Sequence, residues 1–375
     1  MKKLIFILVA ICGWLTLSQA EQQSNEISKS FKVSKGGELL LNVTPGDISV
    51  NTWDKNEISL KIKTKHKDDF NKLNVDQAGN RIRINYIADW SSSNDVEIYL
   101  IVPDKINLIL STSSGDISLK NNMTGMISLN TRGGNIVTSN IQGEVSINTA
   151  GGDIKIGDVS GKLNVNTSGG DITVGKIKGD HSSFNTMGGD IKIEYAGCDF
   201  NAKTFGGDVI VGNVDGNSNI STYGGDIELK NVGGRIEMNT FGGDLSLESC
   251  SGSVKAETKG GDISLKKLSG SVYANTLGGN IYAELLSDFA GNVKLKSAQG
   301  DIDIKISDKV KATIKAIVKI IKPFNDEEDA IISDFKSAMI NKKSFEVEGI
   351  FKINGGGNEI YLNTLSGKIS IKKLK

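Results

Sequence analysis

The sequence predicts an all-β protein: a single-stack parallel β-solenoid (β-helix) with about 18 residues per coil, capped ends and a short C-terminal helical excursion. Three observations support this fold class. A Gly-[Asp/Asn]-apolar motif returns at a nearly constant interval, apolar and polar residues alternate between the motifs, and the 375 residues include 44 glycines but only 3 prolines. Many glycines with few prolines suit short strands joined by tight turns.

The repeat is measured from the Asp or Asn of each motif. The steps between successive copies are 19, 18, 18, 19, 18, 18, 18, 18, 18 and 21 residues, and nine of the eleven copies have a Gly pair directly before that position. Gly46-Asp47-Ile48 and Gly367-Lys368-Ile369 are outlying copies. Such a period indicates units that become stable by stacking on one another. The eleven positions are Asp116, Asn135, Asp153, Asp171, Asp190, Asp208, Asp226, Asp244, Asp262, Asn280 and Asp301.

One coil, "DIKIGDVSGKLNVNTSGG" (153–170), illustrates the alternation. Ile154 and Ile156 alternate with polar residues, and Leu163 and Val165 do the same after a turn at Gly161. A period of two predicts strands with one buried face, whereas a helix would not tolerate this glycine density. Because each strand is covered only when the next coil stacks on it, the coils should lie about 4.8 Å apart as a parallel solenoid.

The pattern divides the chain into four segments: a signal peptide (1–20), an N-terminal β cap region (21–110), the regular GGDI-repeat solenoid (111–307), and C-terminal coils with a cap (308–375). Lys2 and Lys3 precede an apolar stretch, and Ser18-Gln19-Ala20 supplies small residues for cleavage. A retained membrane anchor is the alternative for this stretch. We expect an exported protein, in the periplasm, on the cell surface or secreted, with no membrane span in the mature chain.

The charge balance bears on the class of partner. Lys and Arg number 44, as do Asp and Glu, so the formal net charge is zero. A nucleic-acid-binding protein would normally carry a basic domain or stripe. We therefore expect no nucleic-acid partner.

A threonine stands four residues before each Asp or Asn of the first ten copies. Thr167 has the same parity as Leu163 and Val165, so this column should point inward, with its hydroxyls bonded to turn carbonyls and amides. The alternative, an outward threonine ladder that binds ice, conflicts with that parity. The column consists of Thr112, Thr131, Thr149, Thr167, Thr186, Thr204, Thr222, Thr240, Thr258 and Thr276.

The Gly pairs and the residue after them form a corner of each coil. The pairs are predicted to adopt left-handed or otherwise strained backbone angles, and the following Asp to bond the turn backbone. Stacked carboxylates could also recruit a cation, but Asn replaces Asp at Asn135 and Asn280, and no calcium-binding G-G-x-G-x-D unit occurs. We predict no metal and no other cofactor.

Two cysteines follow the first 20 residues. Cys250 occupies an apolar column and Cys198 lies three coils earlier, about 14 Å away along the stack. A disulfide needs Cα atoms within about 7 Å. Both are predicted to be free thiols.

The tandem GGDI coils make the chain resemble the bacterial DUF4097 family. The segments "VEIYLIVPDKINLILSTSSGDISL" (96–119) and "FKINGGGNEIYLNTLSGKISIKK" (351–373), which flank most of the regular coils, share in that resemblance. It covers nearly all of the chain after residue 20. The resemblance implies an exported, non-enzymatic, adhesin-like β-helical protein, and it supplies no catalytic residues.

The segment "KPFNDEEDAIISDFKSAMINKK" (322–343) departs from the repeat and predicts a short helical excursion. Asn325 can cap a helix whose first turn is acidic. The apolar residues that would share one helical face are Ile331, Ile332, Phe335 and Met339.

Evidence for an active site is sparse. The two histidines, His66 and His181, have no partner in a matching column, so neither a Ser-His nor a metal-His arrangement is indicated. We therefore predict no catalytic residues. Carboxylates at a suitable separation occur throughout the coils, which leaves a β-helical polysaccharide lyase or glycoside hydrolase as the alternative function.

The outward face of the second strand of each coil is the candidate binding face. Its side chains form a long strip rich in amides, which could bind sugar hydroxyls or a peptide of an envelope protein. The alternative is a structural ladder in which stacked amides bond to one another. The candidate residues are Asn148, Asn164, Asn166, Asn185, Asn201, Asn219, Asn239 and Asn275.

Overall fold

The computed structural model describes residues 25–65, 67–87, 96–319 and 330–374. These residues form 38 β-strands and one 3₁₀ turn, with no α-helix among them. Most strands belong to two long, largely parallel sheets whose apolar side chains fill a continuous core between them. The prediction of an all-β parallel solenoid is confirmed.

The strands before the regular coils are β1 Glu26–Lys32, β2 Gly37–Thr44, β3 Asp47–Trp53, β4 Glu57–Lys63, β5 Leu73–Ala78, β6 Arg81–Ile87 and β7 Glu97–Pro103, with the 3₁₀ turn at Lys67–Lys72. The strands after them are β33 Ala312–Lys319, β34 Ile331–Ser333, β35 Ser337–Lys343, β36 Glu346–Ile353, β37 Asn358–Thr364 and β38 Ile369–Leu374.

Each regular coil gives one strand or a pair of short strands to sheet A and one strand to sheet B. The sheet A strands are β9 Ile117–Leu119, β10 Met123–Thr124, β12 Ile136–Thr138, β13 Ile141–Gln142, β15 Ile154–Ile156, β16 Val159–Ser160, β18 Ile172–Lys178, β20 Ile191–Ala196, β22 Val209–Val214, β24 Ile227–Val232, β26 Leu245–Cys250, β28 Ile263–Leu268, β30 Ile281–Leu285 and β32 Ile302–Ser307. The sheet B strands are β8 Ile106–Thr112, β11 Ile127–Asn130, β14 Val145–Asn148, β17 Leu163–Asn166, β19 Ser182–Asn185, β21 Phe200–Lys203, β23 Ser218–Ser221, β25 Ile236–Asn239, β27 Val254–Glu257, β29 Val272–Thr276 and β31 Val293–Ser297.

The threonine column is buried at one corner, as its parity predicts. The hydroxyl of Thr204 donates to the carbonyl of Gly189 in the preceding coil (2.8 Å) and accepts the amide of Gly207 in its own coil (3.3 Å). The same hydroxyl-to-carbonyl bond recurs along the column, and Ser297 and Thr364 extend it. A buried hydroxyl with both partners satisfied is a structural element, so the inward interpretation is confirmed.

The Asp column bonds each coil to the next. Oδ1 of Asp208, for example, accepts the backbone amide of Asp226 at 2.8 Å. The amide oxygens of Asn135 and Asn280 accept the corresponding bonds at 2.8 Å, which explains why Asn can replace Asp. One side-chain acceptor per coil is the requirement, and a negative charge is not.

The left-handed backbone angles predicted for the Gly pairs are not found. From Gly133-Gly134 to Gly278-Gly279, none of the paired glycines adopts a left-handed φ. The reason for the second glycine of each pair is instead the close approach of successive coils: a Cβ on Gly152 would lie 2.0 Å from the carbonyl oxygen of Gly134. Only a residue without a side chain allows the corners to stack at this distance.

The two outlying copies of the motif belong to the continuous stack. The amide of Asp116 bonds to Oδ1 of Asp47, and the amide of Lys368 bonds to Oδ1 of Asp301. The coil β2–β3 therefore lies between β6–β7 and β8–β9. The coil β37–β38 likewise lies between β31–β32 and β33–β34, so neither the first nor the last coil in the chain is terminal in the stack.

The predicted C-terminal helix is not found. Within 322–343, the described residues form β34, which pairs with β38, and β35, which pairs antiparallel with β36. The backbone groups at the edges of β38 and β36 need hydrogen-bond partners. Pairing with these edges is more favourable than forming a short helix, which is only marginally stable in isolation. Ile331 and Phe335 still pack against the core, whereas Ile332 and Met339 are about half exposed (51% and 44%). Asn325 lies outside the described residues.

The two cysteines of the described chain are buried free thiols, as predicted. Burial raises the pKa of Cys250 to about 11 and also raises the pKa of Cys198.

Candidate binding face

The outer face of sheet B presents two columns of side chains because residues along each strand alternate between core and solvent. The first column reads Ser128, Ser146, Asn164, Ser183, Asn201, Asn219, Glu237, Lys255, Tyr273, Lys294, Tyr361 and Lys315 in stacking order. The second reads Asn130, Asn148, Asn166, Asn185, Lys203, Ser221, Asn239, Glu257, Asn275, Lys296 and Asn363 in the same order.

The N-terminal part of the second column is an amide ladder. Nδ2 of Asn148 donates to Oδ1 of Asn130 (2.9 Å), Asn166 donates to Asn148 (2.9 Å), and Asn185 donates to Asn166 (3.0 Å). Each internal amide thus bonds to its equivalents in the coils on both sides. These three candidate residues have part of their hydrogen-bonding capacity satisfied within the protein.

The other five candidate residues do not extend this ladder. Nδ2 of Asn201 donates to the ring of His181 (2.9 Å), and Asn239 bonds to Glu237. Asn164, Asn219 and Asn275 make no side-chain hydrogen bond to another residue of the described chain. The structure therefore places all eight candidates on one face but joins only three of them in a common network.

The C-terminal part of the first column alternates lysine and tyrosine. Successive strands place Lys255, Tyr273, Lys294, Tyr361 and Lys315 side by side, and we call these residues the Lys-Tyr row. Five strands at about 4.8 Å spacing give the row a length of roughly 19 Å. Within the described chain, none of its lysines has its ammonium over a tyrosine of the row.

The two end lysines of the row are ion-paired. Nζ of Lys255 lies 2.7 Å from Glu237 and 2.9 Å from Glu257, and these hydrogen bonds raise the pKa of Lys255. The same contact lowers the pKa of Glu237. Nζ of Lys315 lies 2.7 Å from Glu348, whose hydrogen bond raises the pKa of Lys315.

Lys294, at the centre of the row, differs from both end lysines. No carboxylate among the described residues lies within ion-pair distance of Lys294 or of its neighbour Lys296. Lys294 and Lys296, both without an ion pair in the described chain, thus share the outer face of β31, with Tyr273 on one side of Lys294 and Tyr361 on the other.

A groove of about 650 Å³ lies along this part of the face. Ser253 and Ser271 line it, and the same position carries the larger Arg235 in the preceding coil and Asn292 in the following one. Tyr273, Tyr361, Lys294 and Lys296 also line it. Small side chains flanked by larger ones make the surface concave here.

The Lys-Tyr row is difficult to recognise in the sequence because its residues do not follow the 18-residue repeat. The step from Asn280 to Asp301 is 21 residues instead of 18, so a forward count of 18 from Tyr273 reaches Gly291 and misses Lys294. Tyr361 follows a long departure from the repeat, and Lys315 belongs to a strand that lies beyond β37 in the stack. The available signal was the offset from the following motif, because Lys294 stands seven residues before Asp301 just as Tyr273 stands seven before Asn280.

The described residues offer neither a metal cluster nor a membrane-spanning helix. No group of three or more His, Cys, Asp or Glu side chains there could hold a metal ion. No helix in this part of the chain is long and apolar enough to cross a membrane. The predicted signal peptide (1–20) and His66 lie outside the described residues.

Comparison with known proteins identifies a family. The model described as Toastrack DUF4097 matches residues 104–215 and 197–320. Together the two matches span 104–320, which is more than half of the 375 residues. No curated protein matches the chain.

Several solved structures are similar to this chain. A putative adhesin from Bacteroides fragilis is 19% identical, with 61% of this chain and 96% of that one covered and a TM-score of 0.30. A putative adhesin from Parabacteroides distasonis is 11% identical, with 64% and 97% covered and a TM-score of 0.37. A putative cell adhesion protein from Clostridium sporogenes is 10% identical, with 94% and 100% covered and a TM-score of 0.18.

Proposed function

The chain belongs to the Toastrack DUF4097 family, and we propose that it is an exported, non-enzymatic, adhesin-like β-solenoid. It serves as a binding surface or structural scaffold at the cell envelope, with an envelope glycan or protein as its partner. The observation that carries this proposal is the outer face of sheet B, a continuous surface whose outward columns present amide, lysine and tyrosine side chains. A solenoid offers such a surface without rearranging, which favours binding to long ligands.

The roles of the repeated polar residues support a non-enzymatic function. The repeated Asp carboxylates accept backbone amides of neighbouring coils, and the repeated threonine hydroxyls bond to corner carbonyls. The residue types that could have been repeated catalytic groups therefore have structural partners. The export signal expected at residues 1–20 supports an envelope location.

Binding of purified residues 21–375 to an array of glycans and envelope fractions tests the proposal. We expect reproducible binding that is weakened by combining Asn164→Ala with Lys294→Ala, which alters both parts of the sheet B face. Combining Lys155→Ala with Thr173→Ala on the outer face of sheet A is the matched control and should leave binding unchanged. If both double variants bind like the parent, the sheet B face is not the recognition surface.

A depolymerisation screen on the same preparation tests the enzymatic alternative. The proposal expects no product from any polysaccharide of the array. If the protein degrades a polysaccharide and a single carboxylate substitution abolishes that turnover, the protein is a carbohydrate-active enzyme and the proposal is wrong.

A further inference from the structure

We propose that the Lys-Tyr row and its groove are a binding site for an acidic polysaccharide, a glycan whose sugars carry carboxylate, phosphate or sulfate groups. This inference rests on the proposed function and specifies its ligand class. The acidic groups bind Lys294 and Lys296, and sugar rings pack against Tyr273 and Tyr361.

The charge of the site selects for an anion. Lys255 and Lys315 are neutralised by Glu237, Glu257 and Glu348, whereas the described chain offers no carboxylate to Lys294 or Lys296. Glu359, in the groove wall, forms no ion pair with either of them. Because the whole chain has a formal net charge of zero, attraction of a polyanion depends on this local excess of positive charge.

The tyrosines select for sugar rings. Tyr273 and Tyr361 lie two strands apart, about 9.6 Å along the stack, with Lys294 between them. Neither ring is covered by a lysine ammonium of the described chain, in contrast to Tyr282 on sheet A, where Nζ of Lys305 lies 5.1 Å from the ring centroid. The electron-rich face of a tyrosine packs against the C–H groups of a pyranose ring.

The groove suits a glycan better than an acidic peptide. Its floor strands β27, β29, β31 and β37 are paired on both sides, so a peptide finds no free edge for strand addition. The valines that line it, Val254, Val272 and Val293, are buried in the core, and its outward residues are Ser, Lys, Tyr, Asn, Arg and Glu, so the groove has no outward aliphatic side chain to anchor a peptide. A row of polar groups and aromatic rings at regular spacing matches a polymer of sugars.

The first experiment compares polymers that differ in charge or backbone. Binding of residues 21–375 is measured by calorimetry with dextran, dextran sulfate, polygalacturonate and polyglutamate. We expect both acidic polysaccharides to bind, dextran not to bind, and polyglutamate to bind more weakly than either. The relative affinities for dextran sulfate and polygalacturonate show whether the site prefers sulfate or carboxylate groups.

The second experiment separates the row from general charge attraction. Lys294→Gln should weaken binding about tenfold or more, since it removes a charge-assisted hydrogen bond, and Tyr273→Ala should weaken it about threefold to tenfold. The matched controls Lys305→Gln and Tyr282→Ala alter the covered pair on sheet A and should leave affinity unchanged. The thermal unfolding midpoint of each variant shows whether it is folded.

The outcomes distinguish this inference from the proposed function. Binding that is lost in Lys294→Gln but unchanged in both Tyr273→Ala and Tyr361→Ala would reduce the site to charge attraction and overturn the inference. Equal affinity for polyglutamate would also overturn it. Array binding to a neutral glycan or a protein without any response to acidic polymers would overturn the inference and leave the proposed function standing. No binding to any array component would overturn both.

Discussion

The outer face of sheet B has an amide half (Asn130, Asn148, Asn166 and Asn185) and a Lys-Tyr half (the Lys-Tyr row), which are built from the same kind of coil but differ in how their side chains are hydrogen-bonded. In the amide half, Asn148 bonds to the equivalent Asn130 and Asn166 at 2.9 Å on both sides. In the Lys-Tyr half, each residue of the row faces a different residue type in the next coil, and Lys294 has no carboxylate partner among the described residues. Asn148 therefore bonds to its own copies, whereas Lys294 keeps its ammonium group available for a ligand.

The corner beneath both halves should be equally intolerant of a side chain, and this is the largest effect we expect. A Cβ on Gly152 or on Gly261 would lie 2.0 Å from the carbonyl oxygen of Gly134 or Gly243. Because backbone atoms of an adjacent coil must move, Gly152→Ala and Gly261→Ala should each lower the free energy of unfolding by about 3 kcal/mol. Urea denaturation measures both.

The adjacent glycine of the same pair provides the control for this prediction. The nearest atom to a Cβ on Gly151 is 3.6 Å away, an ordinary contact, so Gly151→Ala should change stability by less than about 1 kcal/mol. Equal effects of Gly151→Ala and Gly152→Ala would show that close approach is not why the corner needs glycine.

The buried threonine column should contribute equally to the stability of the coils in both halves. Thr167→Val and Thr258→Val keep the side-chain shape but leave the carbonyls of Gly152 and Gly243 without their donors. Each substitution should cost about 1–3 kcal/mol, the usual cost of a buried unpaired polar group. Thr173→Val on the outer face of sheet A is the control, with an expected change within about 0.5 kcal/mol. A neutral Thr167→Val would mean that the hydroxyl is dispensable.

The features that recur in every coil could be predicted from the sequence, whereas the features that occur only once could not. The parity of Thr204 with the apolar residues of its strand was enough to place it inside. The role of Gly152 was misassigned because backbone strain and close approach both select glycine, and only the distance to Gly134 decides between them. The spacing of Ile331 and Phe335 fits a helix, but the open edges of β36 and β38 come from distant parts of the sequence. The Lys-Tyr row was hidden for the same reason.

The direct comparison of the two halves is a pair of alanine substitutions. Asn148→Ala removes two side-chain hydrogen bonds of a half-buried amide and should lower stability by about 1 kcal/mol. Lys294→Ala removes an exposed side chain that has no ion-pair partner in the described chain and should change stability by less than about 0.5 kcal/mol. Chemical denaturation of both, with Asn164→Ala as a control outside the ladder, checks the difference. A larger loss for Lys294→Ala than for Asn148→Ala would reverse the assignment of structural and open groups.

Of the two halves, only the Lys-Tyr half should lose stability at low pH, and this is the smallest effect we expect. The hydrogen bond from Lys255 lowers the pKa of Glu237 below its ordinary value of 4.5, so the stability it adds is fully present above that value. It is lost as the pH falls through the lower pKa of the folded state. Since the Glu237 side chain is 28% exposed, solvent screening limits the contribution to about 0.5 kcal/mol.

Glu237→Gln should therefore flatten the pH dependence of stability slightly between about pH 6 and pH 3. The amide ladder contains no titrating group, so Asn148→Ala should shift the whole profile downward without changing its slope. If Asn148→Ala changed the slope and Glu237→Gln did not, the ionic contacts would not belong to the Lys-Tyr half alone.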